Sequence, residues 1–138
     1  MGGFQEHLRL KEQFRKLAEE DRKKRQKTQM TLGELIAHLK QLYPKDKVAD
    51  LQKPHSYRGY YADLAFEYDG ESTISSSELL KRCYDALGQT MAGYKGGDFI
   101  MHRNTPLWIA RYGKTGTRLM KMRPDGTIVT EEEEEEEH

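Results

Sequence analysis

A single cysteine, Cys83, stands in a chain of 138 residues, so no disulfide can close within one molecule and a zinc site built on cysteines is excluded. Long apolar runs are missing as well. No stretch approaches the roughly 20 apolar residues of a membrane span, and the N-terminus has no apolar core of a secretory signal. These absences predict a cytoplasmic protein. Net charge is absent too: 23 Lys and Arg balance 23 Asp and Glu. Neither a generally basic nucleic-acid binder nor a generally acidic mimic is indicated for the body of the chain. The histidines at 7, 38, 55, 102 and 138 form no H-E-x-x-H spacing, so neither a metal nor a cofactor is expected.

What is present is unevenly distributed. Residues 1–29 carry nine Lys/Arg against five Asp/Glu, and residues 131–137 are seven consecutive glutamates. The chain divides into a charged helical extension at 1–29, a domain at 30–130 and an acidic tail at 131–138. The tail is expected to be disordered, because like charges repel and no apolar residue is there to pack. In the extension, Leu10, Phe14 and Leu17 fall at i, i+4 and i+7, a thin apolar stripe on a charged helix. That segment suits a solvated or docked helix, a nucleic-acid or partner-binding arm, or a short helix-to-helix dimer contact.

Two helices of the domain announce themselves by their caps. Thr31 and Glu34 form a T-x-x-E box, with Met30 and Leu35 placed as a hydrophobic staple. Leu32, Leu35, Ile36, Leu39 and Leu42 follow on one face, and Pro44 ends the run. The pattern recurs with Ser75 and Glu78 as the box, Ile74 and Leu79 as the staple, and Leu79, Leu80, Cys83 and Leu87 as the apolar face. Gly88 is placed to end that helix in the left-handed region.

DKVADL, YADLAFEYD, GDFIMHR and PLWIARYG read as strands, and TRLMKMRPDGTIV reads as a hairpin turning at Pro124-Asp125-Gly126. The expected fold class is α+β: a small antiparallel or mixed sheet, two amphipathic helices on one of its faces, and the N-terminal charged helix in addition. Leu64, Phe66, Ile100, Leu107 and Ile109 are expected to face the helices.

Packing does not account for PHSYRGYY, residues 54–61, with three tyrosines, a histidine, a serine and an arginine in eight positions. Arg58 offers a planar fork for phosphate or carboxylate. Tyr57 and Tyr60 supply flat faces and hydroxyls. His55 and Ser56 add hydrogen bonding, and Gly59 admits close backbone approach. The plainer alternative is a strand start with half-buried aromatics.

A second dense segment, TMAGYKGGDF, presents Tyr94 and Lys95 among Gly93, Gly96 and Gly97, a composition that cradles anions or simply turns the chain. Trp108 and Arg111 complete the candidate ligand-binding set, with Lys114 and Arg118 adding positive charge. YGKTGTR lacks the first glycine of a P-loop, since Trp108 occupies that position. No catalytic residue is assigned. Cys83 falls on a buried helix face, and no sequence feature pairs His55 with His102 or Asp98.

TLGELIAHLK, PHSYRGYYADLAFE, ELLKRCYDALGQTMAGYKGGDF and TPLWIARYGKTG together resemble a small protein family encoded mainly in bacteriophages and prophages, over residues 30–118. The resemblance implies a phage accessory protein at work in the cytoplasm of a bacterial host. By analogy with small phage proteins that lack catalytic signatures, it points to counter-defence. Three functions stay open on the residues. The first is capture of a phosphorylated nucleotide-like ligand such as an immune second messenger, with Tyr57, Tyr60 or Trp108 on the base and Arg58 and Lys95 on the phosphates. The others are inhibition of a host defence protein by direct contact and nucleotide degradation with His55 as base. A homo-oligomer fits the first of these, and no membrane partner is expected.

Overall fold

Thr31 opens the first helix of the domain as its box predicts. Its hydroxyl accepts from the Glu34 N–H at 3.2 Å and donates to Glu34 Oε1 at 3.1 Å. The computed structural model describes residues 10–17, 29–57, 63–92, 98–110 and 116–131. Helix α1 is described over 10–17, all of them exposed. The domain then runs α2 (Leu32–Lys40), β1 (Lys47–Ala49), β2 (Gln52–Ser56), β3 (Leu64–Glu67), β4 (Thr73–Ser75), α3 (Ser76–Ala86), β5 (Thr90–Met91), β6 (Phe99–Ile100), β7 (Leu107–Ala110), β8 (Thr117–Met122) and β9 (Ile128–Thr130).

The fold is α+β, built on a five-stranded mixed sheet of order β2-β3-β7-β8-β9, in which β3 and β7 are parallel and the other neighbours antiparallel. Two-stranded ribbons, β1-β4 and β5-β6, stand beside it. Leu32, Leu35, Ile36 and Leu39 of α2 share one buried cluster with Leu79, Cys83 and Ala86 of α3 and with Leu64, Phe66, Leu107, Ile109 and Leu119 of the sheet. The apolar faces predicted for both helices are therefore the ones that close the core. Ser75 caps α3 by accepting from the Glu78 N–H at 3.3 Å, and Gly88 takes a φ of 81° beyond its end. Ile100 departs from expectation, being 61% exposed. Among the described residues its strand pairs with β5 alone, and Met101 next to it takes the core position at 0% exposure.

The entry to α2 is stitched into the sheet. Trp108 pairs with Arg118 and Ile109 with Thr117, so Leu107 and Leu119 stand next in the ladder. Met30 bridges them instead. Its N–H donates to the Leu119 carbonyl at 2.7 Å, and its carbonyl accepts from the Leu107 N–H at 2.9 Å. Gln29, 5% exposed, donates through Nε2 to the Leu107 carbonyl at 2.8 Å. The free N–H groups at the start of α2 are also satisfied, Leu32 by the Thr105 carbonyl at 2.9 Å and Gly33 by the Arg103 carbonyl at 2.8 Å.

The Pro124-Asp125-Gly126 turn forms as predicted. Thr127 donates from its backbone to Asp125 Oδ1 at 3.0 Å, and Gly126 has a φ of 88°. The turn also docks on β1, because Ala49 N–H donates to the Gly126 carbonyl at 2.8 Å. A Cβ at 126 would lie 2.1 Å from the Lys47 carbonyl oxygen. Gly126→Ala is therefore expected to cost more than about 2 kcal/mol, combining left-handed strain with a backbone clash. Thr31→Ala, which loses only a cap, is expected to cost about 1 kcal/mol. Urea unfolding of the two variants measures both, and equal losses would contradict the turn's docking role.

Candidate functional site

On the sheet face turned away from the helices, the register lines up His55, Ala65, Trp108 and Arg118 across β2, β3, β7 and β8. Ala65 is fully buried although it points away from the core, so this face is covered at its centre. Tyr57, one residue past β2, stacks on Trp108 with ring centroids 4.0 Å apart and planes inclined by 6°.

Contacts among the described residues hold the pair. The Trp108 Nε1–H donates to Asp63 Oδ2 at 2.7 Å, a charge-assisted bond that fixes the indole in its plane. The Tyr57 N–H donates to the Asp63 carbonyl at 2.9 Å. The Tyr57 hydroxyl reaches the Gly116 carbonyl at 3.4 Å, a long bond. Gly116 lies so close to the ring that a Cβ there would sit 2.6 Å from Tyr57 Cε2. Tyr57 is consequently 5% exposed, whereas Trp108 remains half-buried. Tyr57 backs the pair, and Trp108 is the ring with surface to offer.

Ser56 is buried at 7% exposure. The His55 Nδ1 lies 2.7 Å from the Lys53 carbonyl. A carbonyl only accepts, so Nδ1 carries the proton and Nε2 is left as the acceptor of the neutral ring. Lys53 itself has a φ of 48°, a left-handed non-glycine residue immediately before Pro54, at a bulge in the β2-β3 ladder. Such a conformation costs about 1 kcal/mol or more.

Beside Lys53 lies an open groove of about 170 Å³ lined by Gln52, Lys53, Glu67, Tyr68, Asp69 and Ala110. Lys53 and Glu67 pair at 3.4 Å but are well exposed, so the pair contributes little. The Ser72 hydroxyl, with the N–H groups of Ser72 and Glu71, holds the Asp69 carboxyl down at about 2. Those donors leave Asp69 engaged in its own turn.

Of the predicted binding residues, the structure brings Tyr57 and Trp108 into contact and sets His55 and Ser56 on the adjoining strand. Arg58, Gly59, Tyr60, Tyr94, Lys95, Gly96, Gly97 and Arg111 lie outside the described residues. The strand ends that precede them differ in place. Ser56 pairs with Leu64, and Leu64 with Leu107, at one end of the sheet, whereas Ala110, which precedes Arg111, pairs with Glu67 at the other. β5 and β6 bound residues 93–97 and belong to a separate ribbon.

Asp63 and Gly116, which secure the pair, were not among the predicted residues. In the sequence Asp63 is one polar position of an alternating strand and Gly116 one glycine of a turn, and neither carries a local signal of its role. Lys53 gave no signal either, since a residue before proline favours extended backbone and here takes a φ of 48°.

Among the described residues no group of His, Cys, Asp or Glu side chains is arranged to hold a metal ion, and no helix is long and apolar enough to cross a membrane. No protein-family model matches the chain, and no curated protein or solved structure matches it significantly.

Two outcomes follow from this geometry. Gly116→Ala should drive Tyr57 from the indole. It is expected to cost about 1–3 kcal/mol and to change the emission of Trp108, the only tryptophan of the chain. An unchanged spectrum would show that the stack does not depend on Gly116. Burial pushes the Cys83 thiol up to about 12. Native protein at pH 8 is therefore expected to resist a thiol reagent and to react only at the rate of unfolding. Fast labelling of the folded state would refute that burial.

Proposed function

We propose that the protein is a non-catalytic binding module that captures a phosphorylated, nucleotide-like ligand, in keeping with a phage accessory protein that sequesters an immune second messenger in the host cytoplasm. The observation that carries this reading is the rigid, half-open indole of Trp108, backed by Tyr57 at 4.0 Å and tethered through Nε1 to Asp63. A ring fixed in this way accepts a base without first losing side-chain freedom, which favours affinity. Trp108 stacks the base, His55 reads a polar edge through Nε2, and Arg58 and Lys95 supply the charge for the phosphates.

A second reading, inhibition of a host protein by direct contact, is favoured by one observation. Leu10, Phe14 and Leu17 of α1 are 52, 69 and 60% exposed at helical spacing. Such a stripe suits insertion into a partner's groove.

Titrating the protein with cyclic dinucleotides, cyclic oligonucleotides, ADP-ribose and ATP, while following Trp108 emission and the melting temperature, tests the first reading. At about 100 times its dissociation constant a ligand adds about 2.7 kcal/mol of stability, several degrees for a domain of this size. Trp108→Ala and Arg58→Ala are each expected to abolish the shift, and Arg58→Ala to do so with little change in the unliganded melting temperature. No response to any member of the panel would defeat nucleotide capture and leave the inhibitor reading in place. Loss of host-protein binding on replacing Leu10, Phe14 and Leu17 with serine would then support the latter.

A further inference from the structure

Arg118 stands directly across the ladder from Trp108, on the same face of the sheet. Opposed residues of an antiparallel pair carry Cβ atoms about 5 Å apart, so a guanidinium there lies within reach of a group attached to a base stacked on the indole. That guanidinium is already engaged. Its Nε donates to Glu131 Oε2 at 3.0 Å and its Nη2 donates to Glu131 Oε1, a two-pronged grip on one carboxylate. The side chains are 23 and 32% exposed, so both are partly withdrawn from water. Glu131 is the first residue of the seven-glutamate run and follows β9 directly.

A fork of this geometry fits a phosphate as well as it fits a carboxylate. The geometry points to Arg118 as the anion subsite of the Trp108 platform, with Glu131 as a built-in competitor that a ligand phosphate must displace. This rests on the nucleotide-binding reading above and deepens it. The carboxylate in the structure stands where a phosphate oxygen pair would sit. Tethering makes the competition strong, because Glu131 is one residue from β9 and its effective concentration at Arg118 stays high whatever the ligand concentration. Selectivity follows from the same arrangement. A neutral base gains nothing from Arg118, and a singly charged anion meets a carboxylate of equal charge, whereas a pyrophosphate bridge brings more charge than the carboxylate it replaces.

The test uses the full chain and its Glu131→Gln, Arg118→Gln and Arg118→Lys variants, each first checked for cooperative melting. The probes are adenosine, inorganic pyrophosphate and ADP-ribose, read by Trp108 emission. Glu131→Gln is expected to tighten pyrophosphate and ADP-ribose about threefold to tenfold while leaving adenosine unchanged. Arg118→Gln is expected to remove the pyrophosphate response, and Arg118→Lys, which keeps charge without the fork, to restore only part of it. Equal affinity of ADP-ribose for the parent chain and for Glu131→Gln would overturn the competitor role while leaving nucleotide capture intact. Silence of pyrophosphate and ADP-ribose with every protein would overturn the Arg118 subsite itself.

Discussion

Backbone hydrogen bonding at Met30 is the constraint on which the rest of the domain depends. One residue bridges β7 and β8 through its N–H and its carbonyl, at 2.7 and 2.9 Å, at the point where the two strands no longer pair directly. It thereby serves the sheet and also fixes where α2 begins, since Thr31 caps that helix in the next position. The helix start is in turn docked on the 103–105 segment through Leu32 and Gly33. A Cβ at Gly33 would lie 2.9 Å from the Arg103 carbonyl oxygen, so the approach is available only to glycine without rearrangement. Strand, helix and loop therefore share one set of bonds, and a buried backbone group left unpaired at any of them costs about 1–3 kcal/mol.

The features legible in the sequence are those written within a few residues of one another. Both helix caps, the apolar face of α2, the turn at Pro124-Asp125-Gly126 and the left-handed Gly88 rest on local chemistry, and each is present. The stripe at Leu10, Phe14 and Leu17 is helical as well, although it is exposed within the described residues. Ile100 was misjudged because alternation alone does not say to which sheet a strand belongs, and β6 joins β5 in place of the main sheet. Met101, a position displaced by one, then takes the buried place.

The candidate site was legible in part, for a related reason. Tyr57 and Trp108 stand out as residue types, but their stacking joins positions 51 residues apart. Asp63 and Gly116 are ordinary in sequence and acquire a role only through that contact. Packing accounts for part of the density of aromatics in PHSYRGYY. Tyr57 is structural, nearly buried against Trp108 and Gly116, so packing explains one of its three tyrosines outright. The plainer reading, a strand start with half-buried aromatics, differs from what is seen at Tyr57, which follows the end of β2 and is nearly fully buried.

A stacked pair that is satisfied on its own has a consequence for any function on this face. Because Tyr57 and Asp63 already determine the plane of the indole, Trp108 has no need of a ligand to order it, and binding there would leave the backbone in place. Specificity must then come from groups around the ring more than from closure over it. The described surroundings are mixed in charge, with the Asp63 carboxylate on the indole nitrogen and Arg118 opposite, held by Glu131. An anionic ligand is repelled by the first and attracted by the second, so the balance between them depends on whether Glu131 occupies the guanidinium. Glu131, the first of the seven glutamates, reaches the face where a ligand would bind. Under the proposed function, one carboxylate at the end of β9 sets the threshold concentration at which the module responds.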